Sequence, residues 1–190
     1  PHVAQHQDLL RIEEDMMRVA TLIAIGLLVL ATGALAKDAY DYPEVDVNMD
    51  RQGGDTIEDA PLICDMPITL TGTTAGYAHN YDEICDYDIP GAADVVYGYM
   101  PCADGVLEAS LCYAGTVYDT KLYCYENDEF TLVACNDDWC PGYISELSYA
   151  SGQPVPVTMG NIYYFVVDGW SPGDEGAYEL QIWGQDCGPT

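Results

Sequence analysis

Asn136, Asp137 and Asp138 set three oxygen-bearing side chains in succession, and Asp119 stands one strand's length upstream. Calcium takes six to eight oxygens from carboxylates, amides and backbone carbonyls on a shaped loop. Brought to one end of a fold, these four residues would offer such a ligand set. A second acidic group, Asp55, Glu58 and Asp59, offers the same chemistry. Asx side chains also bond their own backbone and shape turns, so a purely structural role stands beside the metal one. Asp46-x-Asn48-x-Asp50 opens like an EF-hand loop, but Arg51 stands where that loop needs Gly and Ile57 where it needs a bidentate Glu.

Other chemistries find no residues to carry them. His79 is the only histidine after residue 6, and no GxSxG motif accompanies it, so a serine triad lacks its parts. The 32 acidic residues make some close carboxylate pair inevitable, so a pair by itself does not point to glycoside cleavage. The absence of CxxC spacings argues against structural zinc. A non-enzyme is expected. The net charge of -27, with 5 basic residues, opposes binding to nucleic acid or to anionic lipid and favours divalent cations.

The elements that must position these residues read as strands. Tyr118 to Trp139 is a hairpin pattern: Lys121–Tyr125, an acidic turn, then Phe130–Cys135. Further strands are expected at Ile68–Thr71, Val95–Met100, Val106–Tyr113, Ile144–Tyr149, Val155–Thr158, Tyr163–Asp168 and Tyr178–Trp183. Tyr163 to Val167 is apolar on both faces, as in a central strand. Tyr178, Leu180 and Ile182 alternate with Glu179, Gln181 and Trp183, as in a half-buried one. Many short strands between turn residues predict an all-β, antiparallel β-sandwich. The 16 tyrosines suit half-buried strand positions. Ordinary packing accounts for them, with an aromatic platform for glycans or a partner chain as the alternative. The 8 cysteines, all beyond residue 60, read as a disulfide framework. Cys135 and Cys140 bracket Asn136–Trp139 and are expected to close that loop.

Residues 1–16 read as an upstream extension and 17–36 as a signal peptide: Arg18, the apolar run Leu22–Leu30, then Ala34-Leu35-Ala36 as a cleavage site. Residues 37–53 read as a flexible arm and 54–187 as the folded domain. Export to an extracellular location follows, with no membrane association after cleavage.

The segments GGDTIEDA, ADVVYGYMPCADGVLEASLC, YDTKLYCYEN, LVACNDDWC, MGNIYYFVVDGW and GAYELQIW, in that order, resemble the bacterial pre-peptidase C-terminal domain. Relatives of that family include collagen-binding domains of secreted collagenases. The resemblance implies a compact, jelly-roll-like sandwich and a non-catalytic module that binds an extracellular protein or polysaccharide with calcium. This chain departs from the family's Glu-Pro-Asn-Asp at Gln52-Gly53-Gly54-Asp55, where only Asp55 matches, with Glu58 and Asp59 as substitutes. The alternative is self-association as a structural subunit of a cell-surface layer or filament.

Overall fold

The computed structural model describes residues 52–63, 65–85 and 89–185. The expected extension, signal peptide and most of the arm lie outside these residues, as do Cys64 and Cys187. Of the arm, Gly53 is buried, and its carbonyl accepts the Tyr77 hydroxyl at 3.0 Å. Among the described residues no helix is long and apolar enough to cross a membrane.

The protein is a two-sheet β-sandwich. Among the described residues a 3-10 turn, Ile57–Asp59, precedes ten strands: β1 (Leu62–Ile63), β2 (Ile68–Thr73), β3 (Val95–Tyr99), β4 (Gly105–Ser110), β5 (Thr120–Glu126), β6 (Leu132–Asn136), β7 (Glu146–Leu147), β8 (Val155–Val157), β9 (Tyr163–Gly169) and β10 (Ala177–Trp183). One sheet runs β1-β3-β9-β5-β6 and the other β2-β10-β4-β7, with β8 on β4. Pairing is antiparallel except for β1 on β3, which is parallel. Every expected strand forms. Several are shorter than their patterns or shifted within them. Phe130 is 86% exposed and precedes β6, and of 144–149 only Glu146 and Leu147 form a strand, with Ile144 bridging to Cys140. The two-residue β1 has too short a sequence to show any period.

The inward faces meet in one core. Val95, Tyr97, Leu122, Phe165 and Val167 come from the first sheet, and Leu107, Tyr178, Leu180 and Ile182 from the second. Six tyrosines among the described residues are buried: 97, 99, 123, 125, 163 and 178. Their tips are paired as burial demands. Tyr97 and Tyr178 share a hydroxyl–hydroxyl bond of 2.7 Å that joins the two sheets, and the Tyr163 hydroxyl donates to Glu126 at 2.7 Å. These tyrosines are packing residues.

Cysteine pairing corrects one expectation. Cys135 bonds Cys85 and Cys140 bonds Cys112, so no bridge closes the 135–140 loop. The reason is geometric. Cys135 lies in β6 with its side chain on the outer face of the first sheet, while Cys140 turns toward the second. Cys102 is also disulfide-bonded, whereas Cys124 is a free thiol, fully buried because alternation along β5 points it inward with Leu122.

That outer face is itself sealed. Val96, Tyr123, Tyr125 and Val166 form a second cluster, covered by Ile57, Ala60 and Tyr81. Beside it lie three buried charged side chains, Asp94, Lys121 and Asp168. Burial pushes Asp94 up to about 6, against which the Tyr81 and Asn80 amides pull. Burial pushes Asp168 up to about 7, with Lys121 opposing and Asp94 reinforcing. Both native values exceed the ordinary 3.8, so the folded chain retains protons that the unfolded chain releases. The stability this contributes is full below about pH 4 and is lost as pH rises through 6 to 7. Thermal melts should therefore give a higher Tm at about pH 5 than at about pH 8. Asp94→Asn should flatten that dependence.

Candidate metal centre

The β5–β6 register builds the site. Leu122 stands opposite Asn136 in an antiparallel pair. The residue before β5 and those after β6 must therefore emerge at the same end of the sandwich. These are Asp119 on one side and Asp137 and Asp138 on the other. One carboxylate oxygen from each lies within 4.8 Å of the others.

Backbone bonds fix this arrangement. The Asp119 carbonyl accepts the Trp170 amide at 3.2 Å, and the Thr120 amide donates to the Tyr143 carbonyl at 3.0 Å. The buried Ser145 hydroxyl bridges the Thr120 and Asp137 carbonyls, tying the starts of both acidic segments together. The Trp139 and Cys140 amides both donate to the Ile144 carbonyl and close the loop that follows. Gly142 and Tyr143 turn this loop with φ of 94° and 61°. Asp119, Asp137, Asp138, Tyr143 and Trp170 line a cleft of about 410 Å³. Gly169 allows the neighbouring turn to close. A Cβ there would collide with the Asp174 carbonyl.

The electrostatics are one-sided. Asp137 is 1% exposed. Burial, reinforced by the charges of Asp138 and Asp174, raises the Asp119 carboxyl to about 6. Its Oδ1 is buried without a hydrogen-bond donor. Lys121 is the only lysine or arginine among the described residues, and Asp82 and Asp168 engage it.

The remaining expected ligands have other work. Asn136 Oδ1 accepts the Glu146 amide at 2.9 Å and so positions β7. Asp59 caps the 3-10 turn, accepting the Thr56 amide at 2.6 Å and hydroxyl at 2.9 Å. Asp55 accepts the Ala78 amide at 2.8 Å. Glu58 is exposed on that turn. Asp55, Glu58 and Asp59 do not converge as the first group does. A third grouping, Cys112, Cys140 and Glu146, has no thiolate to offer because its cysteines are bridged.

Sequence reasoning missed Tyr143, Trp170 and the nearby Asp174. The one available signal was Ser171-Pro172-Gly173, a turn that returns the chain to the same end. No protein-family model matches this chain, and no curated protein matches it either.

Proposed function

We propose that the protein is a non-catalytic extracellular binding module that holds calcium at Asp119, Asp137 and Asp138. The observation that carries this is the convergence of three carboxylates at one end of the sandwich, beside an Asp119 Oδ1 that is buried without a hydrogen-bond donor. Ligand oxygens about 2.3–2.6 Å from a calcium ion can be up to roughly 5 Å apart across it, and the 4.8 Å spread fits inside that limit. The three carboxylates supply up to six oxygens, and the orphaned Asp119 Oδ1 gains a partner. The resemblance to pre-peptidase C-terminal domains and the disulfides favour an exported module that presents this end of the sandwich to a protein or polysaccharide.

A thermal melt with calcium, magnesium or EDTA tests the site. At a hundredfold excess over its Kd, a ligand of the native state adds about 2.7 kcal/mol. A calcium-specific rise in Tm is expected, lost in Asp137→Asn and kept in Asp59→Asn. The rise should shrink as pH falls through about 6, where Asp119 takes up a proton. No calcium-specific shift in the wild type would refute the site.

Self-association has one observation in its favour. β6 is an edge strand with Leu132 41% exposed beside Phe130, a surface open to strand addition. A monomeric state at high concentration, with and without calcium, would count against it.

A further inference from the structure

Lys121 lies on the outer face of the first sheet, with its side chain 1% exposed. Its Nζ is 2.5 Å from Asp82 Oδ1 and 3.4 Å from Asp168 Oδ2. The two carboxyls approach from different elements. Asp168 is the register partner of Lys121 on the adjacent strand β9, and Asp82 comes from the loop that covers the sheet. Asp168 is held in place, since Oδ2 accepts the Tyr123 hydroxyl at 3.0 Å and Oδ1 the Gly169 amide at 2.7 Å. Tyr81, Tyr125, Val96 and Val166 wall the surroundings, and Asp94 stands on the same face. A contact of this length places Nζ about 3–3.5 Å from the Asp82 carboxyl carbon, a separation from which an intramolecular step can start.

We propose that Lys121 and Asp82 condense into an intramolecular amide, with Asp168 as the proton carrier. The ammonium first gives a proton to the Asp82 carboxylate, which becomes a neutral carboxylic acid. The Nζ lone pair then attacks Cγ of Asp82 and forms the N–C bond. Asp168 takes the second proton from nitrogen and protonates the departing oxygen. The C–O bond breaks, one water leaves, and Asp168 returns to its starting state with no change of oxidation level. Asp82, at 21% exposure, gives that water a way out. Burial works to lower the Lys121 pKa, but Asp168 and Asp82 outweigh it and hold the ammonium above its ordinary range, so proton transfer must precede attack. Asp168, pushed up to about 7, suits the carrier because it exchanges protons near neutral pH. The bond would span 39 residues and fix the covering loop to the sheet.

The test is a peptide map of the folded chain after reduction and alkylation. A branched peptide joining the Asp82 and Lys121 segments, lighter than their sum by one water, is expected. Asp82→Asn should give the same branch with loss of ammonia instead. Asp168→Asn, shown to be folded by its cooperative melt, should leave the segments linear. Two separate linear peptides from folded wild-type protein after prolonged incubation would overturn the proposal. Wild-type yield of the branch in Asp168→Asn would overturn the role given to Asp168.

Discussion

Replacing Lys121 by methionine is expected to lower stability by about 3–5 kcal/mol, because removing one partner of a buried ion pair leaves the other uncompensated. Methionine keeps most of the volume, so the deficit is electrostatic rather than a cavity. Asp168, 1% exposed, then faces Asp94 with no cation between them. Both carboxyls can escape by taking up protons, so the loss should be largest at about pH 8 and shrink toward pH 5. Denaturant unfolding at the two pH values measures it. Adding Asp168→Asn to Lys121→Met should recover part of the loss at the higher pH, since the uncompensated charge is gone. This ion-pair loss applies to chains in which Lys121 is still an ammonium; in chains joined to Asp82 the cation is already gone, and the variant loses the cross-link instead. A loss below about 1 kcal/mol at both pH values, the scale of an exposed pair, would show that the cluster is solvated.

The same lysine marks where the sequence stops being informative. Lys121 opens an otherwise apolar strand, and taken alone it reads as a solvent-facing edge. Only the covering loop, contributed by residues far away in the chain, encloses it. The strands were legible because each is a local run of β-branched and aromatic residues between turn formers. The central position of β9 was legible because its apolar run has no polar face. Asp119 and Asp137–Asp138 could be paired from sequence because a hairpin fixes its own ends. Asn136 could not be told from its neighbours, since its amide is diverted to Glu146 by the arrival of β7. Tyr143 and Trp170 join the cleft only through contacts between loops. The disulfides failed for a similar reason. Nearness in sequence suggested Cys135 with Cys140, but strand alternation sends the two sulfurs to different faces. Alternation could also have set Cys124 aside, since it shares the inward phase of Leu122.

Removing the two bridges separately should separate the stability of the fold from that of the site. Cys85–Cys135 spans 50 residues and Cys112–Cys140 spans 28. Loop-closure entropy in the unfolded chain gives roughly 4 kcal/mol for the first and somewhat less for the second. Cys85→Ala/Cys135→Ala should therefore cost at least as much in denaturant unfolding as Cys112→Ala/Cys140→Ala. The calcium response should rank them the other way. Cys140 sits two residues beyond Asp138, and its bridge to Cys112 anchors the loop that carries Tyr143 over Asp119. Without that anchor, part of the binding free energy goes into ordering the loop, so the calcium-induced rise in Tm should shrink. Cys85–Cys135 holds the opposite face of β6, where the β5 ladder already fixes the strand. Its loss should lower the melting curve with and without calcium by similar amounts. An unchanged calcium shift in Cys112→Ala/Cys140→Ala would mean that the β5–β6 ladder and Ser145 hold the carboxylates by themselves.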